Sequence, residues 1–334
     1  MSTGHRSRWL AALTAATLAT AMLAAAPASA ADPEGGTAKL RKALDSANKG
    51  YVSAKLRIDN SKKRQTELDA QLKTLAVEHA EVAGVASKMA ARAYRNGPLT
   101  EVSLLLDSSS PDAFWTRANA MERLARADAG RLGRLTESQN RMRANQAALK
   151  LEIGEQTKQL AAMAKRKKEA EEALIEAGGG AITSGFLSAN SALAKPAPRR
   201  SDGSWPDESC NVNDPTTSGC ITPRTLHAMK EAKRAGFGRF VSCHRGGGGG
   251  EHPKGRACDF AAATGGFENV DASGGDKSYG DRLAAFYVRN AGRLGVLYVI
   301  WYRQIWMPST GWRSYSGGPG PSATHTNHVH LSMQ

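Results

Sequence analysis

Six of the eight histidines of this 334-residue chain lie beyond residue 205: His227, His244, His252, His325, His328 and His330. Five of them fall in two stretches, FVSCHRGGGGGEHPKGRACDF (240–260) and ATHTNHVHLSMQ (323–334). Each stretch ends in an alternating run that suits a β-strand, so an aspartate and a histidine would project from rigid elements. His252 and Asp259 are seven residues apart across a glycine-containing turn. In His328-Val329-His330, strand alternation puts both imidazoles on one face. Imidazole and carboxylate are ligands that suit zinc, with a fourth position left open in a catalytic site. An isolated His-x-His arises often by chance, so this reading rests on the two stretches together.

His252-Pro253-Lys254-Gly255-Arg256-Ala257-Cys258-Asp259 with the terminal His328-Val329-His330 resembles the zinc peptidase superfamily of lysostaphin, the D-Ala-D-Ala metallopeptidases and the hedgehog signalling domain. That group includes the M15-like and murein endopeptidase-like enzymes, and its signature is HxxxxxxD followed later by HxH. The resemblance spans about 205–334. It implies zinc as cofactor, with His252, Asp259 and His330 as its ligands. Arg245, in Ser242-Cys243-His244-Arg245, stands at the place of an arginine that steadies the oxyanion in the D-Ala-D-Ala peptidases. The alternative for Arg245 is a surface residue beside Gly246–Gly250. Those glycines precede no GK[ST] and are read as a mobile loop at the mouth of the site rather than a phosphate loop. His325 and His328 match the spaced histidines of murein endopeptidases.

Asn327 departs from the family pattern. Peptidases of this group commonly place a carboxylate three residues before the last ligand, as a general base, and an amide cannot take a proton from water. Either His325 or His328 serves as the base, or the site binds metal without cleaving.

The element carrying the first stretch is expected in a small α+β domain at 205–334. There the helical run 222–236 packs on a short antiparallel sheet, 296–302 is a central strand, and Tyr287, Leu294 and Val296 help to fill the core. Trp301, Trp306 and Trp312 are read as core or groove wall. Cys210, Cys220, Cys243 and Cys258 are an even set confined to this region and lack any CxxC pair, which favours disulfides over a zinc cluster. Three pairings are open; proximity favours Cys210–Cys220 and Cys243–Cys258.

Ahead of that domain the sequence is of another kind. Apolar or small residues recur at alternating spacings of three and four from Leu40 through Leu44, Ala47, Tyr51, Ala54 and Ile58, and after Ser61 and Gln65 through Leu68, Leu72, Leu75, His79, Val82, Ala86 and Met89. A second run reads Phe114, Ala118, Met121, Ala125, Leu132, Leu135, Met142, Leu149, Ile153, Leu160 and Met163. A period of about 3.5 residues predicts two long helices in an antiparallel coiled-coil hairpin over 31–178. Asn96-Gly97-Pro98 ends the first, and Ser110-Pro111-Asp112 starts the second. The apolar cluster Leu99, Val102, Leu104, Leu105 and Leu106 at the tip either folds back onto the hairpin or presents a docking surface. The segment AARAYRNGPLTEVSLLLDSSSPDAFWTRANAMERLARAD resembles the hairpin of secreted bacterial NlpC/P60-type peptidoglycan hydrolases. The resemblance implies a regulatory arm and a membrane division-complex partner at the tip. Residues 179–204, rich in Gly, Ser, Ala and Pro, read as a flexible linker.

Residues 1–30 have a basic start, an apolar run and a final Ala28-Ser29-Ala30, the pattern of a secretory signal peptide. The expected location is therefore outside the cytoplasm, extracellular or in the cell wall, with no membrane span after cleavage. The net charge of +14 does not point to nucleic acid. Residues 31–180 mix 26 basic with 20 acidic side chains, and 199–334 mix 16 with 11, which describes a solvated face. The expected function is a secreted zinc-dependent peptidoglycan peptidase, endopeptidase or carboxypeptidase, acting on peptidoglycan peptides and regulated by the arm. The alternatives are an inactive zinc-bearing wall-binding module and a structural protein dominated by its coiled coil.

Overall fold

The computed structural model describes residues 38–97, 99–176, 178–186, 188 and 190–334. The expected signal peptide lies outside them. No helix among the described residues is long and apolar enough to cross a membrane.

The two heptad runs form α1 (Ala38–Asn96) and α3 (Pro111–Glu176), 59 and 66 residues long. At 1.5 Å per residue these are about 90 and 100 Å. Gly97, at φ 69°, bonds its N–H to Ala93 O at 3.1 Å and turns the chain out of α1. The short α2 (Leu99–Leu106) crosses the tip. Ser110 then accepts the Ala113 N–H at 3.2 Å, and Pro111 opens α3 without needing a donor.

The seam follows the expected register on α1, where Leu44, Ala47, Ala54, Ile58, Ser61, Leu75 and Ala86 are buried. On α3 the expected stripe is half-buried at Leu135, Met142, Leu149 and Met163, and the expectation needs correction at Leu132, Ile153 and Leu160, which are 52%, 49% and 46% exposed. Their preceding neighbours Arg131, Glu152 and Gln159 are half-buried instead. The reason is polar matching. Ser61 and Gln65 interrupt the apolar stripe of α1, and α3 answers with side chains that hydrogen-bond. Gln65 Nε2 donates to Gln156 Oε1 at 2.7 Å, and Ser61 Oγ donates to Glu152 O at 3.2 Å. Arg64 grips Glu152 with two bonds of 2.6 and 2.9 Å. Around Glu152 and Gln156 these polar pairs hold the seam in place of apolar side chains, because an unpaired amide there costs more than a partly exposed leucine.

The C-terminal half is α+β. Its seven-stranded sheet is antiparallel throughout, in the order β1-β8-β7-β6-β9-β5-β4. The strands are β1 (Gly179–Ile182), β4 (Val241–Ser242), β5 (Ala257–Ala261), β6 (Val296–Trp301), β7 (Gln304–Met307), β8 (Gly311–Tyr315) and β9 (His328–Met333). A small hairpin, β2 (Val212–Asn213) and β3 (Cys220–Ile221), stands apart from it. The expected helix is α4 (Pro223–Arg234), capped by Thr222. With α5 (Gly274–Arg289) it covers one face of the sheet. Tyr287, Leu294 and Val296 lie in that core, as does Trp301.

The opposite face carries two things at once. Register aligns Ser242, Asp259, His330, Ile300, Ile305 and Arg313 in one row across β4, β5, β9, β6, β7 and β8, so these side chains share a face. Over its β6–β8 half sits the base of the hairpin: Leu44, Ala47, Ala170, Ala173 and Leu174 form one buried cluster with Tyr298, Ile300, Ile305, Met307 and Tyr315. The contact also satisfies polar groups. Fully buried Asn48 donates to Leu297 O at 2.7 Å and accepts from Ser309 N at 3.3 Å, and Arg313 pairs with Glu171 at 2.9 Å.

Residues 179–204, read from composition as a flexible linker, are tied down where they are described. Gly179–Ile182 adds a strand to β8, and a Cβ at Gly179 would collide with Leu174. Further on, Ala194 N donates to Asn290 Oδ1 at 2.9 Å and Ala197 N to Arg293 O at 2.8 Å. Asn60 of α1 reaches Asp202 O at 2.9 Å. Small side chains that signal flexibility in isolation here let the backbone approach closely enough to pair.

Candidate metal centre

Asp259 and His330 are directly opposed in adjacent strands, and His252 comes from a single 3₁₀ turn, His252–Lys254, just before β5. Gly255 ends that turn at φ 66°, where a Cβ would meet Cys210 Sγ and the Cys220 carbonyl. Only glycine fits there, which gives the glycine of HPKGRACD its role. Both favoured disulfides are present, Cys210–Cys220 and Cys243–Cys258, and the second staples β4 to β5 one residue from Asp259.

Three donor atoms converge. His252 Nε2 is 3.2 Å from both His330 Nδ1 and Asp259 Oδ1, and the latter two are 2.8 Å apart. Tetrahedral zinc with bonds near 2.0–2.1 Å needs ligand separations of about 3.3 Å, so small side-chain shifts complete the triangle. All three residues are buried, at 1%, 0% and 5% exposure for His252, His330 and Asp259. Each is also held from behind. His252 Nδ1 donates to Cys243 O, which fixes the lone pair on Nε2. His330 Nε2 lies 2.8 Å from Ser332 Oγ, an acceptor for its N–H when Nδ1 serves as a ligand. Arg245 Nη1 donates to Asp259 Oδ2 at 2.6 Å, leaving Oδ1 for the centre. Such outer contacts orient metal ligands. This donor set and its support fit zinc. Cys210, Cys220 and His244 also cluster, but those cysteines are bonded to each other.

Burial pushes the Asp259 carboxyl up, yet the neighbouring His252 and His328 and the imidazole hydrogen bonds hold it well below the usual carboxylate range. His328 is lowered too, which disfavours its charged form. Burial, aided by His330 and Arg245, lowers it to about 4 against the pull of Asp259. His325 is lowered well below the ordinary histidine value, mainly by burial. Both rings are neutral at pH 7.

The structure brings all six residues of interest to one end of the sheet. His328 Nε2 is 3.5 Å from Asp259 Oδ1 and has no hydrogen-bond partner among the described residues. His325, at φ 52°, packs its ring 4.8 Å from His328, 5.6 Å from His330 and 6.4 Å from Tyr315. Arg245 is 40% exposed beyond its contact with Asp259. Asn327 is oriented by the chain around it. Its Nδ2 donates to Glu268 O at 2.7 Å, and a carbonyl can only accept. Its Oδ1 therefore faces His328 Nδ1 at 2.7 Å, which must carry the proton, so the His328 lone pair is on Nε2.

Sequence reasoning missed Ser332, although strand alternation from His330 would have found it. It also missed the reach of the hairpin. Tyr298 stacks on His330 at 5.6 Å and 13°, and its other neighbours include Arg41, Leu44 and Asp45 of α1 around a cavity of about 20 Å³. Arg256 pairs with Glu251 at 2.5 Å and with Asp45 at 3.6 Å, linking the arm to the turn that carries His252.

Two comparisons, with curated proteins and with solved structures, return no match to the chain. A family model does match: residues 217–326, 110 of 334, correspond to the VldE C-terminal domain, and the matched segment holds His252, Asp259 and His325 but stops short of the terminal Asn327-His328-Val329-His330.

Proposed function

We propose that the chain is a secreted zinc-dependent peptidase of the M15-like kind acting on peptidoglycan peptides, with its hairpin as a regulatory arm. The observation that carries this reading is the convergence of His252 Nε2, Asp259 Oδ1 and His330 Nδ1 beside an unpartnered His328 Nε2. His252, Asp259 and His330 would hold zinc, which when bound would supply a Lewis acid to polarise a substrate carbonyl and ease deprotonation of water. His328 takes the proton of the attacking water on Nε2, since Asn327 keeps Nδ1 protonated, and returns it to the leaving amine. Asn327 thus orients the base instead of being one. The outward N–H groups of Arg245 donate to the oxyanion while the same guanidinium steadies Asp259.

The two disulfides are of the kind formed in oxidising compartments, which supports a location outside the cytoplasm. Val102, Leu104, Leu106 and Trp115, at 51%, 53%, 80% and 64% exposure, support docking of a membrane division-complex partner at the tip. The second reading, a zinc-bearing wall-binding module without turnover, is favoured by Asn327 standing where these peptidases carry a carboxylate.

The test is incubation of the zinc-loaded chain with isolated peptidoglycan, followed by mass spectrometry for new peptide ends, beside His252→Ala and His328→Ala. Cleavage lost in both variants, with zinc retained by His328→Ala, supports the peptidase. One zinc per chain with no new ends supports the binding module. A chain that takes up no stoichiometric zinc overturns both.

A further inference from the structure

We propose that Phe267 and Phe240 form an aromatic subsite that seats an apolar side chain of the peptide residue next to the bond presented to His328. This deepens the peptidase reading above and rests on it. Phe240 and Phe267 are 54% and 43% exposed, in a domain whose other large aromatic rings are mostly buried, and Val270, three residues after Phe267, is 58% exposed. The two phenyl rings meet edge to face at 5.3 Å and 88°. Phe267 then meets the His328 ring at 5.9 Å and 81°. The apolar surface is therefore continuous with the candidate base, within the about 7 Å that two residues of extended peptide span.

The platform is fixed before any ligand arrives. Asn327 Nδ2 holds Glu268 O, next to Phe267, at 2.7 Å, and Ala261 N holds Phe240 O at 2.9 Å. Farther along the same loop, Tyr302 Oη donates to Ala272 O at 3.0 Å. One amide, Asn327, thus sets both the His328 tautomer and the position of the aromatic loop. Rings held in place lose little freedom on binding, which favours recognition by apolar contact. Two of the flanking charges are engaged elsewhere: Arg239 pairs with Asp276 at 2.8 Å and Asp271 with Arg303 at 2.7 Å. The platform offers an incoming charged side chain neither of these as a free partner.

The experiment uses the zinc-loaded full chain and three hydroxamates, with affinities read by isothermal titration. Acetohydroxamate carries only the chelating group and reports the metal site. N-acetylphenylalanine hydroxamate adds an apolar ring, and N-acetylaspartate hydroxamate adds a charge. The expected result is binding of the phenylalanine probe about tenfold or more tighter than acetohydroxamate, with no gain for the aspartate probe. Phe267→Ala brings that ratio close to one, Phe240→Ala lowers it less, and Phe267→Leu keeps most of it. Equal affinities for the phenylalanine probe and acetohydroxamate, or a ratio that survives both alanine variants, overturn the subsite alone. Failure of acetohydroxamate to bind overturns the metal-centre reading and the subsite with it.

Discussion

At the base of the hairpin Leu44, Ala47, Ala173 and Leu174 are at most 7% exposed, whereas at its tip Leu104, Leu106 and Trp115 are 53%, 80% and 64% exposed. The side chains at the two ends are alike, and so is their place on amphipathic helices. What differs is the surface opposite. The base meets a sheet face already lined by Tyr298, Ile300, Ile305 and Met307, and buries itself there. Among the described residues the tip leans on α2: Arg117 bonds Leu104 O and Asp107 O at 2.7 and 2.9 Å, fixing the backbone without covering the leucines. Apolar content alone therefore does not say which end of a helix is core. Because the base shares its face with the His–Asp cluster, the arm and the candidate centre are one packed unit, separated by the ring of Tyr298.

The contrast can be broken most sharply at the metal ligands. His252→Ala is expected to lower zinc affinity by more than about a hundredfold, as loss of a direct ligand exceeds the 10–100-fold typical of losing a residue that only supports one. Metal analysis after dialysis reads this directly. In the wild-type chain, zinc should slow amide exchange in β9 and in the hairpin base near Leu44 to Asn48, while leaving 102–115 unchanged. Equal protection at the tip would contradict a local union of base and centre.

Packing comes next. Leu174→Ala is expected to destabilise by about 2–5 kcal/mol and Leu106→Ala by no more than about 0.5 kcal/mol, measured as denaturant midpoints at constant m. Similar costs at both positions would show that the tip is as well packed as the base. Asn48→Ala should cost about 1–3 kcal/mol, because it leaves the Leu297 carbonyl and the Ser309 amide unpaired under the arm. The smallest effect belongs to the seam between the ends. Arg64→Ala should cost well under about 1 kcal/mol, since the pair with Glu152 is half open to solvent.

Much of the fold was legible in residue order. The spacing of three and four placed both helices, Gly97 and Ser110-Pro111 bounded the tip, 296–302 was expected as a central strand, and the alternating run at the C-terminus suited a strand. Proximity along the chain gave both disulfides. His252, Asp259 and His330 were singled out by the resemblance of HPKGRACD with HVH to a known family, and one tight turn and one strand pairing bring them together.

What escaped the sequence were facts about which surfaces meet. The α3 register turned on polar partners 91 residues away, Gln65 with Gln156, which a stripe of apolar letters does not encode. The segment 179–204 looked like linker because Gly and Ala carry no side-chain signal, yet close backbone approach is what they permit against β8 and Leu174. Asn327 read as a missing base, and only the carbonyl of Glu268 on a distant loop defines which way its amide points. Local periodicity and turn chemistry are properties of neighbouring residues and so are determined by sequence alone. The choice of sheet face for the hairpin base, and with it the joining of arm to centre, depends on complementary surfaces far apart in the chain and was decided by the tertiary structure.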